Sequence, residues 1–150
     1  MGKEVIKLCT LNINVYRCIS EGISTDRVVL TDKQIIHMEN SHPEAYKDVI
    51  SELKNTIEEP DYIICDGKHK DTGLVVRRVL STVEKEHIFI VLRICTDTYN
   101  GEFANSIISG WKISEKRLQS YLRNKKLFEK QEDSLHKRPK LIYYTYLKNT

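Results

Sequence analysis

From Asp61 to Ser114 the chain is written largely in a period of two, and that pattern restricts its fold more than any other feature. The runs "DYIIC", "GLVVRRVL", "HIFIVLRICT" and "NSIISGWKIS" are rich in β-branched and aromatic residues and are separated by short polar stretches. Strands this closely spaced leave no room for the crossover helices that parallel pairing needs, so they predict an antiparallel meander.

Upstream, "EVIKLCTL", "VYRCI" and "RVVLT" read as three short strands. Thr31 or Asp32 can then cap a helix that runs to about Asn40 with Ile35 and Ile36 facing inward. Pro43 is expected at the first position of a second helix, where its missing N–H costs nothing. Ala45, Val49, Ile50, Leu53 and Ile57 give that helix one apolar stripe, and "EEPD" stops it. Downstream, Ser114 caps a third helix, with Leu118, Tyr121 and Leu122 on its apolar side and Lys116, Arg117 and Arg123 on its wet side. The tail "KLIYYTYLKN" reads as a last strand. This order predicts an α+β fold: N-terminal helices packed on one face of a four-stranded antiparallel sheet, with an additional N-terminal strand region. A chain of 150 residues fits a single domain, here with a core over about 27–130 and a C-terminal extension over 131–150.

Composition narrows the function classes by exclusion. With 24 Lys+Arg against 21 Asp+Glu, the net charge of +3 permits a polyanionic partner without requiring one. Cys9, Cys18, Cys65 and Cys95 lie mostly in apolar runs, where cysteine behaves as a small hydrophobe, so a reducing, cytoplasmic setting without a disulfide framework is expected. No apolar run approaches the ~20 residues of a membrane span, and neither a membrane nor a cofactor is expected. No Gly-rich phosphate loop, dinucleotide fingerprint, zinc ribbon or nucleophile elbow is present.

Four residues stand out as candidate chemistry. His37 and His42, in "IIHMENSHPEAY", flank the expected joint between two helices and can meet at a pocket edge. The scattered cysteines complete no zinc set, which leaves acid/base work and ordinary surface or capping roles as the readings. Arg93 shares a strand face with Phe89, Val91 and Cys95, and a guanidinium on an apolar strand needs a partner, an anionic ligand or solvent. Ser109 interrupts the face formed by Asn105, Ile107 and Trp111, beside Gly110, where a ligand or another backbone can approach. Arg77 and Arg78 point to opposite faces of their strand. With Trp111, Lys112, Lys116, Arg117 and Tyr121 they supply cations and rings suited to an RNA backbone and its bases.

Taken in order, "VVLTDKQIIHMENSHPEAY", "PDYIICD", "IFIVLRI", "NSIISGWKIS" and "YLRNKKLFEK" resemble the phage and mobile-element branch of the Barnase–EndoU–Colicin–RelE-like nucleases. The resemblance implies helices followed by a four-stranded antiparallel sheet, and metal-independent cleavage of RNA, often tRNA in toxin members. His37, His42, Arg93 and Ser109 are the positions that match its site. The implied reaction is attack of a ribose 2′-OH on the adjacent phosphorus, giving a 2′,3′-cyclic phosphate, with an antitoxin or immunity protein as the partner a toxin member would have. The competing expectation is a binding module of the same fold that grips RNA or a protein without turnover.

Overall fold

The computed structural model describes residues 5–79, 86–96 and 104–131. Within them, β1 (Val5–Thr10), β2 (Arg27–Thr31), β3 (Tyr62–Cys65), β4 (Thr72–Arg77), β5 (Glu86–Arg93), β6 (Asn105–Ser114) and β7 (Lys126–Glu129) form one sheet in the order β1-β2-β6-β5-β4-β3-β7. The expected meander is its centre, β6-β5-β4-β3, antiparallel throughout. The sheet is wider than four strands because the antiparallel β1–β2 pair joins β6 through a short parallel pairing, and β7 adds to β3. The tail "KLIYYTYLKN" lies outside the described residues.

Four helices accompany the sheet: α1 (Ile13–Tyr16), α2 (Asp32–Ser41), α3 (Tyr46–Glu58) and α4 (Glu115–Lys125). Three begin at a side chain that accepts backbone N–H groups: Asn12 for α1, Thr31 for α2 and Ser114 for α4. The first of these overturns the expected strand at "VYRCI". Asn12 Oδ1 accepts from the N–H groups of Asn14 and Val15, and Tyr16 turns fully inward to donate its hydroxyl to the Ile57 carbonyl at 2.8 Å. A cap and one buried ring override the strand preference of a segment with β-branched and aromatic residues.

Pro43 also departs from expectation. It sits in the turn between α2 and α3, and α3 begins at Tyr46 after a cap at Ala45 that uses no side chain. The α3 stripe is as read, with Ala45, Val49, Leu53 and Ile57 buried, whereas Ile36 of α2 is exposed and Met38 takes the inward place.

The helices occupy both faces of the sheet rather than one. Val49, Leu53 and Ile57 of α3 pack with Val75, Ile88, Ile90, Leu92 and Ile107, while Leu118 of α4 packs with Ile64, Leu74, Val76, Phe89 and Ile113 on the other side. Neighbouring residues of β4 and β5 thus feed two cores, which is why these strands read as nearly continuous apolar runs. Gly110 is explained by the α3 side: a Cβ there would lie 2.8 Å from Ile90 Cδ1 and 2.9 Å from Val49 Cγ1, so the thinned strand admits neighbouring side chains rather than a ligand. β2 pairs with β6 only at Val28–Asn105 and Val29–Ser106, and α2 packs along the remaining edge of β6.

Candidate functional site

The site begins with an irregularity in β6. Val91 pairs with Ser109 but Leu92 pairs with Ile107, leaving Ile108 as an extra residue. Val91 and Leu92 point to opposite sides, so Ser109 and Ile107 do too, and the expected face of Asn105, Ile107, Ser109 and Trp111 is broken. Ser109 and Trp111 stand on the α4 side with Val91 and Phe89. A strict period of two carries no signal for such a bulge.

On this side α4 covers the sheet around Phe89, Val76 and Ile113, and the strip beyond runs past Val91 and Ser109 to Arg93. Arg93 lies four residue steps along β5 from Phe89, a length of about 13 Å. Ser109 is 7% exposed, and its hydroxyl bonds no other described residue. Arg93 is the last residue of β5, paired with Thr72 and Ser106, and exposed. Exposure answers the anomaly of a cation on an apolar strand: Arg93 needs no internal counter-ion, and among the described residues it has none.

Main-chain bonds hold the strand end that carries Arg93. The Ile94 N–H donates to the Asp71 carbonyl at 2.7 Å, and the Cys95 N–H donates to Asn105 Oδ1 at 2.8 Å. Asn105, fully buried, donates through Nδ2 to the carbonyls of Thr25 and Arg27 at 2.8 and 2.9 Å. One amide side chain therefore ties β5, β6 and the approach to β2 together at the Arg93 end.

The two histidines part company. His37 precedes the buried Met38 and is exposed, with no bond to another described residue, whereas His42 follows Met38 by about one helical turn and continues the inward side of α2. His42 is the α2 C-cap: its N–H donates to the Met38 carbonyl at 3.0 Å and its own carbonyl accepts from Ala45 at 3.1 Å. Its backbone, at φ −139° and ψ 62°, lies outside the helical region that a following proline disfavours. Pro43 thus fixes His42 by ending a helix, not by starting one. The imidazole stacks on Trp111 with ring centroids 5.1 Å apart and planes 26° apart. It lines a cavity of about 330 Å³ with Glu44, Ala45, Asp48, Glu86, Trp111 and Lys112. The structure therefore brings His42, Ser109 and Arg93 along one strip and leaves His37 off it.

The expected RNA-binding residues separate as well. Arg77 turns to the α3 side, bonding the Glu59 carbonyl and lying 3.6 Å from Glu52, and Arg78 turns to the α4 side, as their adjacency in a strand required. Lys112 faces away from the strip and pairs with Asp48 of α3. Lys116 and Arg117 are exposed on α4, and Tyr121 lies against Phe89 with Arg117 over its ring.

Arg78 belongs to a network that sequence reading missed. Its guanidinium meets both Glu115 carboxylate oxygens at 3.3 and 3.2 Å and the Tyr62 hydroxyl at 3.3 Å. His87, 2% exposed, accepts the Val79 N–H on Nδ1, so its proton sits on Nε2 and points at Glu115 Oε1, 2.7 Å away. The available signal was a histidine sharing the apolar face of Phe89 and Val91. Both of its nitrogens are committed, which makes the cluster a brace for the start of α4.

Gln119, His87 and Arg78 hold the Glu115 carboxyl down to about 2, against an ordinary 4.5. A carboxylate with a depressed folded value stabilises the fold above its unfolded value and loses that contribution as pH falls toward the folded one. Melting temperature is therefore expected to fall from about pH 4.5 toward pH 2, and Glu115→Gln to flatten that decline. An unchanged acid limb in the variant would remove Glu115 as its source.

All four cysteines are free, and among the described residues no helix is long and apolar enough to cross a membrane and no group of three or more His, Cys, Asp or Glu is placed to hold a metal ion. No curated protein and no solved structure matches the chain. A family model does match, over residues 13–129, which takes in α1, the meander, the Ser109 bulge, α4 and β7. By that match the chain belongs to the phage-Barnase-EndoU-ColicinE5/D-RelE like nuclease2 family.

Proposed function

We propose that this nuclease-family chain is an endoribonuclease that cleaves RNA with its own side chains, through attack of a ribose 2′-OH on the adjacent phosphorus. The observation that carries the reading is the strip on the α4 face, where a ring-stacked imidazole, an uncommitted hydroxyl and an unpaired guanidinium border one stretch of sheet. A phosphodiester seated at Ser109 lies between the other two groups. Ser109 donates a hydrogen bond to a nonbridging oxygen, and Arg93 offsets the extra negative charge of the phosphorane-like transition state.

Two protons must move: one leaves the 2′-OH and one reaches the departing 5′-oxygen. Imidazole is the side chain suited to exchange a proton at neutral pH, and His42 is given that role. His37 is too far off the strip to supply the second group. Glu44 lines the same cavity as His42 and carries no ion pair among the described residues, so its carboxylate takes it. Trp111 spends a ring face on His42 and acts by positioning it rather than by stacking a base.

Purified protein is expected to cut total tRNA or mRNA in EDTA and to leave 2′,3′-cyclic phosphate ends detectable by mass spectrometry. His42→Ala is expected to lose about 10²- to 10⁴-fold in rate, the usual share of one acid/base group. RNA left intact both with and without divalent ions would sink the reading.

A further inference from the structure

We infer that the side of α4 next to the strip carries a second subsite, built from Arg117, Ser120, Tyr121 and Lys125, which binds an unpaired nucleotide flanking the cleaved bond; this rests on the ribonuclease reading above. The four residues line a cavity of about 320 Å³, at the lower end of the range typical of small-ligand pockets, about 300–1,000 Å³. Arg117, Tyr121 and Lys125 recur every four residues and so form one stripe along the helix.

Two observations connect that stripe to the strip. Tyr121 lies 5.2 Å from Phe89, Phe89 lies 5.1 Å from Trp111, and Trp111 stacks on His42, a continuous run of rings from α4 to the end of α2. At the other end, a Cβ placed on Gly67 would lie 3.5 Å from Lys125 Nζ, and the turn at Gly67 leads to Thr72, the partner of Arg93. Lys125 and Arg93 therefore border the same end of the sheet.

The chemistry of the stripe is that of a nucleotide. The Arg117 guanidinium sits 6.0 Å from the Tyr121 ring centroid, and no carboxylate among the described residues pairs with Arg117 or Lys125. A half-buried ring takes a base, and two cations with a hydroxyl take its phosphate. Cations in the last turn of a helix also favour its dipole, which accounts for Arg123 and Lys125 but not for Arg117 in the first half of α4. Bases inside a duplex are stacked on one another and offer no face to Tyr121, so the nucleotide is an unpaired one.

The test is binding, by fluorescence anisotropy, of an unpaired strand of about 12 nucleotides whose 2′-O-methyl riboses prevent cleavage. Tyr121→Leu is expected to weaken it roughly 5- to 150-fold, the loss of one base–aromatic stack. Arg117→Gln with Lys125→Gln is expected to reduce the slope of log affinity against log salt by about 1.4, two phosphate contacts on a single strand. Lys47→Gln with Lys54→Gln, two exposed cations on α3, is the charge-matched control and changes neither. A duplex of the same sequence should bind more weakly and respond to none of the α4 changes. Affinity and slope unaltered in the α4 variants would overturn the subsite. Cleavage of unmodified RNA measured in parallel separates the two ideas: RNA binding sensitive to α4 without cleavage keeps the subsite and removes the ribonuclease, and the reverse result does the opposite.

Discussion

Arg93→Ala is expected to slow RNA cleavage about 100- to 1,000-fold, the usual cost of one donor aimed at transition-state charge, while leaving the melting temperature unchanged. The two halves of that result come from one fact. Arg93 ends β5 exposed and without a partner among the described residues, so its removal leaves no buried group unsatisfied. Arg93→Lys should recover only part of the rate, since an ammonium keeps the charge but loses the planar fork that meets two phosphate oxygens at once. Steady-state kinetics on a defined RNA, with thermal melting of the same preparations, checks both. A kcat/KM within about threefold of the unaltered protein, far short of a lost transition-state contact, would remove Arg93 from the chemistry and leave it an ordinary surface cation.

The centre of the sheet was legible because its strands are apolar, β-branched runs bounded by polar stretches. β6 begins and ends where the period-two pattern places it, β2 where its β-branched run does, and α4 starts after the serine that caps it. Illegible features fall into two kinds. One is a local choice settled by distant contacts: "VYRCI" becomes a helical turn because Tyr16 reaches the Ile57 carbonyl, and β7 forms because β3 offers it an edge. The other is a slip that preserves composition while changing direction. The bulge at Ile108 moves Ser109 to the opposite side from Ile107, and the α2 cap sends His42 inward while His37 faces out. A histidine pair five residues apart suggested convergence, but a helix and a proline-bounded cap turn those two positions apart. Arg93 was singled out as a cation that needs a partner, an anionic ligand or solvent, and its exposed place at the end of β5 supplies the last of these.

Asn105 illustrates how a residue away from the chemistry can govern it. Asn105→Leu is expected to cost about 3–5 kcal/mol of stability, since it leaves the carbonyls of Thr25 and Arg27 and the N–H of Cys95 without partners in a place with no solvent, at about 1–3 kcal/mol each before relaxation. For a chain of this size that corresponds to a fall of roughly 10–15 °C in melting temperature. Asn105→Asp keeps the shape and the acceptor for Cys95 but turns the donor that served two carbonyls into a second acceptor, so it should destabilise about as much. Because the Cys95 bond lies two residues beyond Arg93, either variant should also reduce cleavage well below its own melting temperature, where the protein remains folded but the guanidinium is less well held. Arg93→Ala lowers rate without lowering stability, and Asn105→Leu lowers both. A variant at Asn105 that melted within about 2 °C of the unaltered protein, less than one lost hydrogen bond would cost, would mean that this amide does not tie the three strands together at the Arg93 end.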